Sequence, residues 1–289
     1  MGKHLDAAKA YIGRDAAGML AGGRYALVHT RSMEFDELRP YVPGDDVRDI
    51  DWKATARSGH PLVKQFVTEK HHKILVVADG GRNARAETPT GEPKWQLTAH
   101  IIGAIGLITL PRSDEIGLVT GDRRGCVDIG LRRGETHIER MLHRYHQHMS
   151  GQPDVSDIVA QLQWVARHQR HPLLVIVVSD EPDISDRLRD ALRSLGARHD
   201  VLWAMVEDRP AVDPGDPGAG YDVADGRRVL GIDILGERVV RAYRRAEEQR
   251  RQDLSEFMTE LRVPHARIAS SAGIAPALVA MTGVYARAG

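Results

Sequence analysis

Three short, fully apolar runs separated by helical patterns constrain the fold of this chain most strongly. The runs are Ile74–Ala78, Leu173–Val178 and Val201–Val206. A strand that is apolar at every position is typical of a parallel sheet buried on both faces. Helical periodicity fills the chain between and around them, at about residues 94–110, 136–149, 155–168 and 186–195. The alternation predicts an α/β fold in which these runs are neighbouring central strands of a mainly parallel sheet, with helices on both faces.

Charge and cysteine content exclude several classes of protein. The chain has 289 residues, with 40 Lys or Arg and 40 Asp or Glu, so its formal net charge is zero. A balanced charge argues against bulk electrostatic binding to nucleic acid, and we expect no nucleic-acid partner. The single cysteine, Cys126, excludes an intramolecular disulfide.

The first ten residues carry no signal-peptide pattern and no apolar run approaches the roughly 20 residues of a membrane span. We therefore expect a cytoplasmic protein without membrane insertion.

The pattern along the chain changes near residue 70. Residues 1–70 begin with an amphipathic helix and continue with short apolar runs around a charged loop at Pro43–Asp46. The regular strand and helix alternation begins at Lys73. The sequence thus predicts an N-terminal helix and small module at 1–70, followed by a sheet domain at 71–289.

Two acidic residues follow predicted central strands. Asp79 ends the first run and Asp180 comes shortly after the second, while Gly134-Glu135-Thr136 opens a helix. The carboxyl ends of parallel strands form the usual working edge of such a sheet. Carboxylate and hydroxyl oxygens there could bind Mg²⁺ or Ca²⁺. The alternative is that these side chains cap helix N-termini, and spacing alone favours capping.

A long segment resembles a known bacterial family. Residues 34–57 read EFDELRPYVPGDDVRDIDWKATAR. This segment resembles the signature of the domain of unknown function 58 family, whose core is similar to the von Willebrand factor A fold; a looser resemblance runs from about Gly22 to the C-terminus. The resemblance implies a von Willebrand A-like (Rossmann-like) sheet domain. It also implies a MoxR-type AAA+ ATPase as the functional partner.

The resemblance also indicates whether the carboxyl edge of the sheet binds a divalent cation. A-type domains bind a divalent cation through an Asp-x-Ser-x-Ser loop, a distant Thr and a distant Asp. Asp79, Thr136 and Asp180 match three of these positions, so we expect them to converge. Gly81 and Asn83 stand where the serines should be. Since Mg²⁺ demands a near-ideal octahedron of oxygens, we expect a degenerate site, weak or empty, and no cofactor beyond weakly bound Mg²⁺.

The signature mixes charged and aromatic residues, and two interpretations remain open. It is either a polar network that locks the small N-terminal module to the sheet domain or a recognition surface, because Trp, Tyr and Arg dominate binding hot spots. We expect Trp52 to be a buried anchor between the modules, with Arg48 and Asp45 exposed beside it. The candidate binding residues are Arg39, Asp45, Asp46, Arg48, Asp51, Trp52 and Arg57.

Enzymatic motifs are missing from the sequence. There is no Gly-x-Ser-x-Gly elbow, Walker loop or Gly-x-Gly-x-x-Gly. His143 and His146 share a predicted helix face, where we interpret them as solvated surface histidines. We therefore predict no catalytic residues and a non-enzymatic protein-interaction or adaptor module that works with the ATPase. The alternative is a divalent-metal-dependent ligand-binding module of the A-domain type.

Overall fold

The computed structural model describes residues 2–12, 35–43, 45–66, 72–211, 220–223, 226–229 and 232–288. The chain forms two compact units. The smaller is His29–His71, and the larger combines Met1–Val28 with His72–Gly289. No helix in the described part of the chain is both long and apolar enough to cross a membrane.

The larger unit is an α/β domain. Its helices are α1 (Lys3–Ile12), α3 (Lys94–Thr109), α4 (Glu135–Ser150), α5 (Ile158–His168), α6 (Asp186–Gly196), α7 (Ile232–Glu260) and α8 (Ile274–Ala288). Its strands are β3 (Lys73–Asp79), β4 (Glu115–Asp122), β5 (Gly125–Arg132), β6 (Leu174–Ser179), β7 (Asp200–Val206), β8 (Gly220–Tyr221), β9 (Arg228–Val229) and β10 (His265–Ile268). The main sheet has six strands in the order β10-β7-β6-β3-β4-β5, and β8 and β9 form a separate antiparallel pair.

The predicted sheet arrangement is confirmed. Strands β7, β6 and β3 are neighbours, and every pairing in the main sheet is parallel except that of the edge strand β5 with β4. Alternate side chains of a strand point to opposite faces, so each central strand contributes to two cores. Ile74 and Val76 pack into the core formed with helices α1, α3, α4 and α8, and Leu75 and Val77 into the core formed with α5, α6 and α7.

The N-terminal helix belongs to the larger unit, which differs from the predicted grouping with residues up to 70. Leu5 and Ala8 are buried in the larger unit. The backbone of Gly103 on α3 approaches Ala8 so closely that a Cβ there would lie 2.5 Å from the Ala8 methyl carbon. The Glu139 carboxylate on α4 accepts hydrogen bonds from the backbone N–H groups of His4 and Leu5 at 3.1 and 2.8 Å. The helix therefore docks through its apolar face and its N-terminus.

The smaller unit is built on a hairpin. Strands β1 (Phe35–Pro40) and β2 (Leu62–Phe66) pair antiparallel, and a 3-10 turn at Val47–Asp49 and helix α2 (Trp52–Ser58) lie between them in the chain. Asp51 caps the N-terminus of α2, where its carboxylate accepts hydrogen bonds from the N–H groups of Lys53 and Ala54. It ends at Gly59, whose positive φ of 75° is the left-handed conformation that favours glycine after a helix.

Candidate functional site

The sheet brings Asp79 and Asp180 together at its carboxyl edge, as predicted. Asp79 is the last residue of β3 and Asp180 follows the neighbouring strand β6. Asp79 is buried, with an exposed fraction of 4%. One of its oxygens accepts a 2.7 Å hydrogen bond from the Ser156 hydroxyl and the other a 3.1 Å bond from the Gly81 N–H. These two hydrogen bonds therefore fix the orientation of the Asp79 carboxylate.

A buried lysine lies between the acidic residues. Lys94, the first residue of α3, has only 1% of its side chain exposed. Its Nζ lies 2.5 Å from Asp180 Oδ1 and also forms an ion pair with Asp208, which follows β7. A buried ammonium is costly unless it is paired, and here two carboxylates pair it. The site therefore holds its own positive charge.

Burial and charge shift the titration of this cluster in opposite directions. Burial raises the pKa of Asp79, although hydrogen bonds from Ser156 and Gly81 oppose the shift. Burial also raises the pKa of Asp180 above its usual range, against the effect of Lys94. Burial alone would lower the pKa of Lys94, but Asp180 and Asp208 outweigh burial and raise that pKa. The lysine is thus charged at neutral pH.

Thr136 does not join this cluster, so its predicted convergence with Asp79 and Asp180 is wrong. It is exposed in the first turn of α4. The next residue, His137, uses its Nε2 to contact the carbonyl oxygen of Ile116 at the beginning of β4, 2.9 Å away. Because β5 runs antiparallel to β4, the chain returns to the amino edge before α4 begins. Thr136 therefore lies at the opposite edge of the sheet from Asp79.

Ser156 supplies the hydroxyl that was expected from Thr136. It lies in the loop between α4 and α5, which reaches the carboxyl edge after α4 has crossed the sheet. The Asp122 carboxylate holds this loop by accepting a 2.8 Å bond from the Asp154 N–H. Ser156 is not among the residues predicted from the sequence, although the reversal of direction at the antiparallel strand β5 would have indicated this loop.

Positions 81 and 83, where A-type domains carry serine, provide few ligand atoms for a metal ion. Gly81 has no side chain, and a Cβ there would lie 2.3 Å from Ser156 Cα, so the loop has packed into that space. The Asn83 backbone N–H donates to Ser156 Oγ at 3.3 Å. The Asn83 Oδ1 atom is buried without a hydrogen-bond partner among the described residues. One buried side-chain oxygen therefore faces no donor in this part of the structure.

A divalent cation of the A-domain type does not fit these residues. Asp180 and Asp208 already bind the Lys94 ammonium, and both oxygens of Asp79 accept hydrogen bonds. Mg²⁺ would need about six oxygens at 2.0–2.1 Å. Within the described ranges, no group of three or more His, Cys, Asp or Glu side chains is arranged to hold a metal ion. The ammonium takes the central position in the cluster.

Trp52 is exposed, contrary to the prediction that it is a buried anchor. Its exposed fraction is 68%, and the short helix α2 buries none of its residues. A seven-residue helix has two turns at most, which leaves little surface for packing. Val42 and Val47, which flank the charged turn, are also exposed, at 56% and 60%.

The charged signature residues divide into two groups. Asp45 is half-buried, and the Arg39 guanidinium donates hydrogen bonds to both of its carboxylate oxygens at 2.6 and 2.8 Å. The Arg39 hydrogen bond lowers the pKa of Asp45. Asp51 caps α2. Both acids therefore serve the local fold. Asp46 and Arg57 are exposed, while the side chain of Arg48 lies outside the described residues.

A second polar cluster superficially resembles a catalytic triad. Ser271 Oγ donates to Glu92 Oε1 at 2.5 Å, and His100 Nδ1 lies 2.7 Å from Ser271 Oγ and 3.2 Å from Glu92 Oε1. A triad needs the two ring nitrogens of histidine to link the hydroxyl with the acid. Here the same nitrogen contacts both groups, so this cluster lacks the proton-relay geometry of a serine hydrolase.

Comparisons with known proteins identify the family. The sequence model described as "Protein of unknown function DUF58" matches residues 37–253. Uncharacterized proteins of Mycobacterium bovis and Mycobacterium tuberculosis are 28% identical over 202 residues, which cover 70% of this chain. The chain spans 63% of the length of these curated relatives.

Two solved structures are similar at low sequence identity. An aerotolerance-related membrane protein from Bacteroides fragilis is 13% identical, with a TM-score of 0.47, and the match covers 73% of this chain and 98% of that one. A von Willebrand factor type A structure from Catenulispora acidiphila is 11% identical, with a TM-score of 0.43, and the match covers 76% of this chain and 43% of that one. The predicted family resemblance is confirmed by the match over residues 37–253: this chain is a member of the DUF58 family.

Proposed function

We propose that this chain is an adaptor that docks onto a MoxR-type AAA+ ATPase through the exposed apolar residues of its small unit. The observation that carries the proposal is the exposure of Trp52, Val42 and Val47 within residues 42–52. This segment is the one that carries the family resemblance. The proposal places the complex in the cytoplasm, where ATP is available to such an ATPase.

The chemistry of this segment suits protein recognition. Tryptophan is among the residues most enriched at binding hot spots, and burying its large side chain gains apolar contact at little cost in conformational entropy. Exposed charged residues surround the apolar ones, including Asp46, Lys53 and Arg57. A polar rim around an apolar centre is typical of interfaces between proteins that also exist apart.

The local fold holds the segment in a defined shape. The Arg39–Asp45 pair closes the turn before Val47, and the Val42 N–H also donates to Asp45 Oδ2 at 2.9 Å. Asp51 fixes the start of α2 and therefore the backbone that carries Trp52. A pre-organised surface loses less conformational freedom on binding, which favours affinity.

Binding measurements with the purified ATPase test the proposal. We expect Trp52→Ala to weaken binding by about 30-fold or more, the loss typical of a hot-spot residue. Tyr221→Ala is the matched control, because Tyr221 is 71% exposed but lies in the larger unit. It should leave binding unchanged. Equal affinities for wild type and Trp52→Ala, or an equal loss in both variants, would contradict docking through this segment.

A further inference from the structure

Three adjacent strands each place a carboxylate at the carboxyl edge of the sheet. Asp79 ends β3, Asp180 follows β6 and Asp208 follows β7, and these strands are neighbours in the sheet. The negative charge of Asp180 is repelled by both Asp79 and Asp208, and a nearby cation relieves this repulsion. The only cation that the described residues bring into contact with Asp180 and Asp208 is the Lys94 ammonium.

We propose that Lys94 is a built-in cation that replaces a divalent ion at this edge, and that removing its whole side chain, ammonium included, converts the edge into a divalent-cation site. The inference is independent of the proposed ATPase partner. It rests on the ion pairs of Lys94, on its near-complete burial, and on the oxygen atoms around it.

The oxygens around Lys94 are those that a hard divalent ion prefers. The carboxylates of Asp180 and Asp208 contact the ammonium, the Asn83 side chain hydrogen-bonds to Asp180, and Ser156 hydrogen-bonds to Asp79. Asn83 Oδ1 is buried with no donor among the described residues, and the same holds for Thr120 Oγ1 on the neighbouring strand β4. Mg²⁺, Mn²⁺ and Ca²⁺ bind such carboxylate, amide and hydroxyl oxygens. Without the ammonium, the carboxylates would be left uncompensated, which favours uptake of a cation.

An ion could reach this position from solvent. Asp208 is 56% exposed and lines a cleft of about 320 Å³, whose other walls include Glu181, Tyr243 and Arg250. A usable metal site needs such an entry path. In the wild-type chain the cleft reaches Asp208, whose carboxylate Lys94 already neutralises.

A covalently attached cation has a functional consequence. A metal ion dissociates when it is chelated or diluted, whereas the lysine does not. The stability of the sheet edge should therefore be independent of divalent ions. The ammonium is also bound by Asp180 and Asp208, so this edge lacks the open metal position through which an acidic ligand group could coordinate.

The experiment compares thermal midpoints and Mn²⁺ binding for the full chain in EDTA and in Mg²⁺, Mn²⁺ or Ca²⁺. Wild type should show no shift with any ion and no bound Mn²⁺ by electron paramagnetic resonance. Lys94→Ala should melt roughly 6–20 °C lower in EDTA, because it leaves buried carboxylates unpaired. Ions at 100 times their dissociation constant should then raise its midpoint by about 5–10 °C.

Three further variants separate the proposed effect from simple destabilisation. Lys94→Met removes the charge but keeps the side-chain volume, so it should melt lower without gaining ion binding. Adding Asp180→Asn to Lys94→Ala should abolish the gain in Mn²⁺ binding, because the Asp180 carboxylate contacts the ammonium position directly. Lys73→Ala is the matched control, since Lys73 is exposed at the other end of β3, and it should behave as wild type.

Either of two results would overturn the inference. One is a wild-type chain that binds Mn²⁺ or melts higher in Mg²⁺, because Lys94 would then not exclude the ion. The other is a Lys94→Ala chain that gains no ion binding, including one that stays unfolded in every ion tested, because the oxygens would then be unable to accept a metal in place of the ammonium.

Discussion

The Ser156 hydroxyl donates a 2.7 Å hydrogen bond to Asp79 Oδ2 across 77 positions of sequence. This bond joins the end of a central strand to the loop before α5. The loop approaches so closely because residue 81 is glycine. A serine at 81, as in the metal-binding pattern of A-type domains, would need the space that Ser156 now fills.

Restoring that serine should therefore destabilise the protein. In Gly81→Ser the new Cβ would meet backbone atoms of Ser156 at 2.3 and 2.5 Å, and overpacking of this kind costs about 1–3 kcal/mol. Gly130→Ser is the control, because no atom lies within 4 Å of a Cβ at that position. Urea midpoints measure both variants. Equal midpoints for the two would show that the loop moves aside freely.

Asp122 should stabilise the protein in a pH-dependent way. Burial alone would raise its pKa, but hydrogen bonds from the Arg124 side chain and from two backbone N–H groups hold the pKa of Asp122 at about 2. The folded-state pKa is below the ordinary value of about 4, so this stabilisation is complete above pH 4 and is lost as the pH falls towards 2. It amounts to about 2 kcal/mol at pH 7.

Asp122→Asn should accordingly lower the free energy of unfolding by about 2 kcal/mol at pH 7, and the difference from wild type should shrink between pH 4 and pH 2. Denaturant titrations across this range provide the measurement. Asp190→Asn, at an exposed position on α6, is the control and should change stability little. A constant difference for Asp122→Asn over the whole range would refute the linkage.

The two tryptophans Trp52 and Trp203 should respond to truncation in opposite ways. Trp203 is fully buried and its indole N–H donates to Ser179 Oγ at 3.1 Å, whereas Trp52 is 68% exposed. Trp203→Ala should cost about 3–5 kcal/mol, and Trp52→Ala should lie within about 0.5 kcal/mol of wild type. Denaturation midpoints distinguish the two. A large loss for Trp52→Ala would mean that its role is structural.

The docking of α1 should weaken in mild acid. His146 on α4 lies with its ring centroid 5.0 Å from that of His4 on α1 and 5.4 Å from that of Trp95. Burial lowers the pKa of His146, and His4, His143 and Lys3 add to the effect. The neutral ring is thus favoured in the folded state, so this stabilisation is complete above about pH 6.5 and is lost as the pH falls below it.

Hydrogen exchange of the α1 amides should accordingly be faster at pH 5 than at pH 7, after correction for the intrinsic pH dependence, while the β3 amides stay protected. His146→Gln removes the titrating ring and should reduce the difference between the two pH values. An unchanged difference in that variant would exclude His146 as the cause.

Much of the fold was predictable because it depends on local patterns. A strand buried on both faces must be apolar throughout, so β3, β6 and β7 stand out as continuous runs, and the adjacency predicted for them is confirmed. The acids that follow such strands necessarily lie at one edge of a parallel sheet. Asp79 and Asp180 could therefore be assigned to the same edge without coordinates.

The sequence by itself determined the layered sheet, its central strands, the family, and the edge at which Asp79 and Asp180 lie. Only the tertiary structure decided what else reaches that edge. The direction of β5 sends Thr136 to the far side and brings Ser156 near, and the fold places the Lys94 ammonium between Asp180 and Asp208. Such contacts join residues far apart in the chain, so they depend on strand direction and helix position, which no local pattern records.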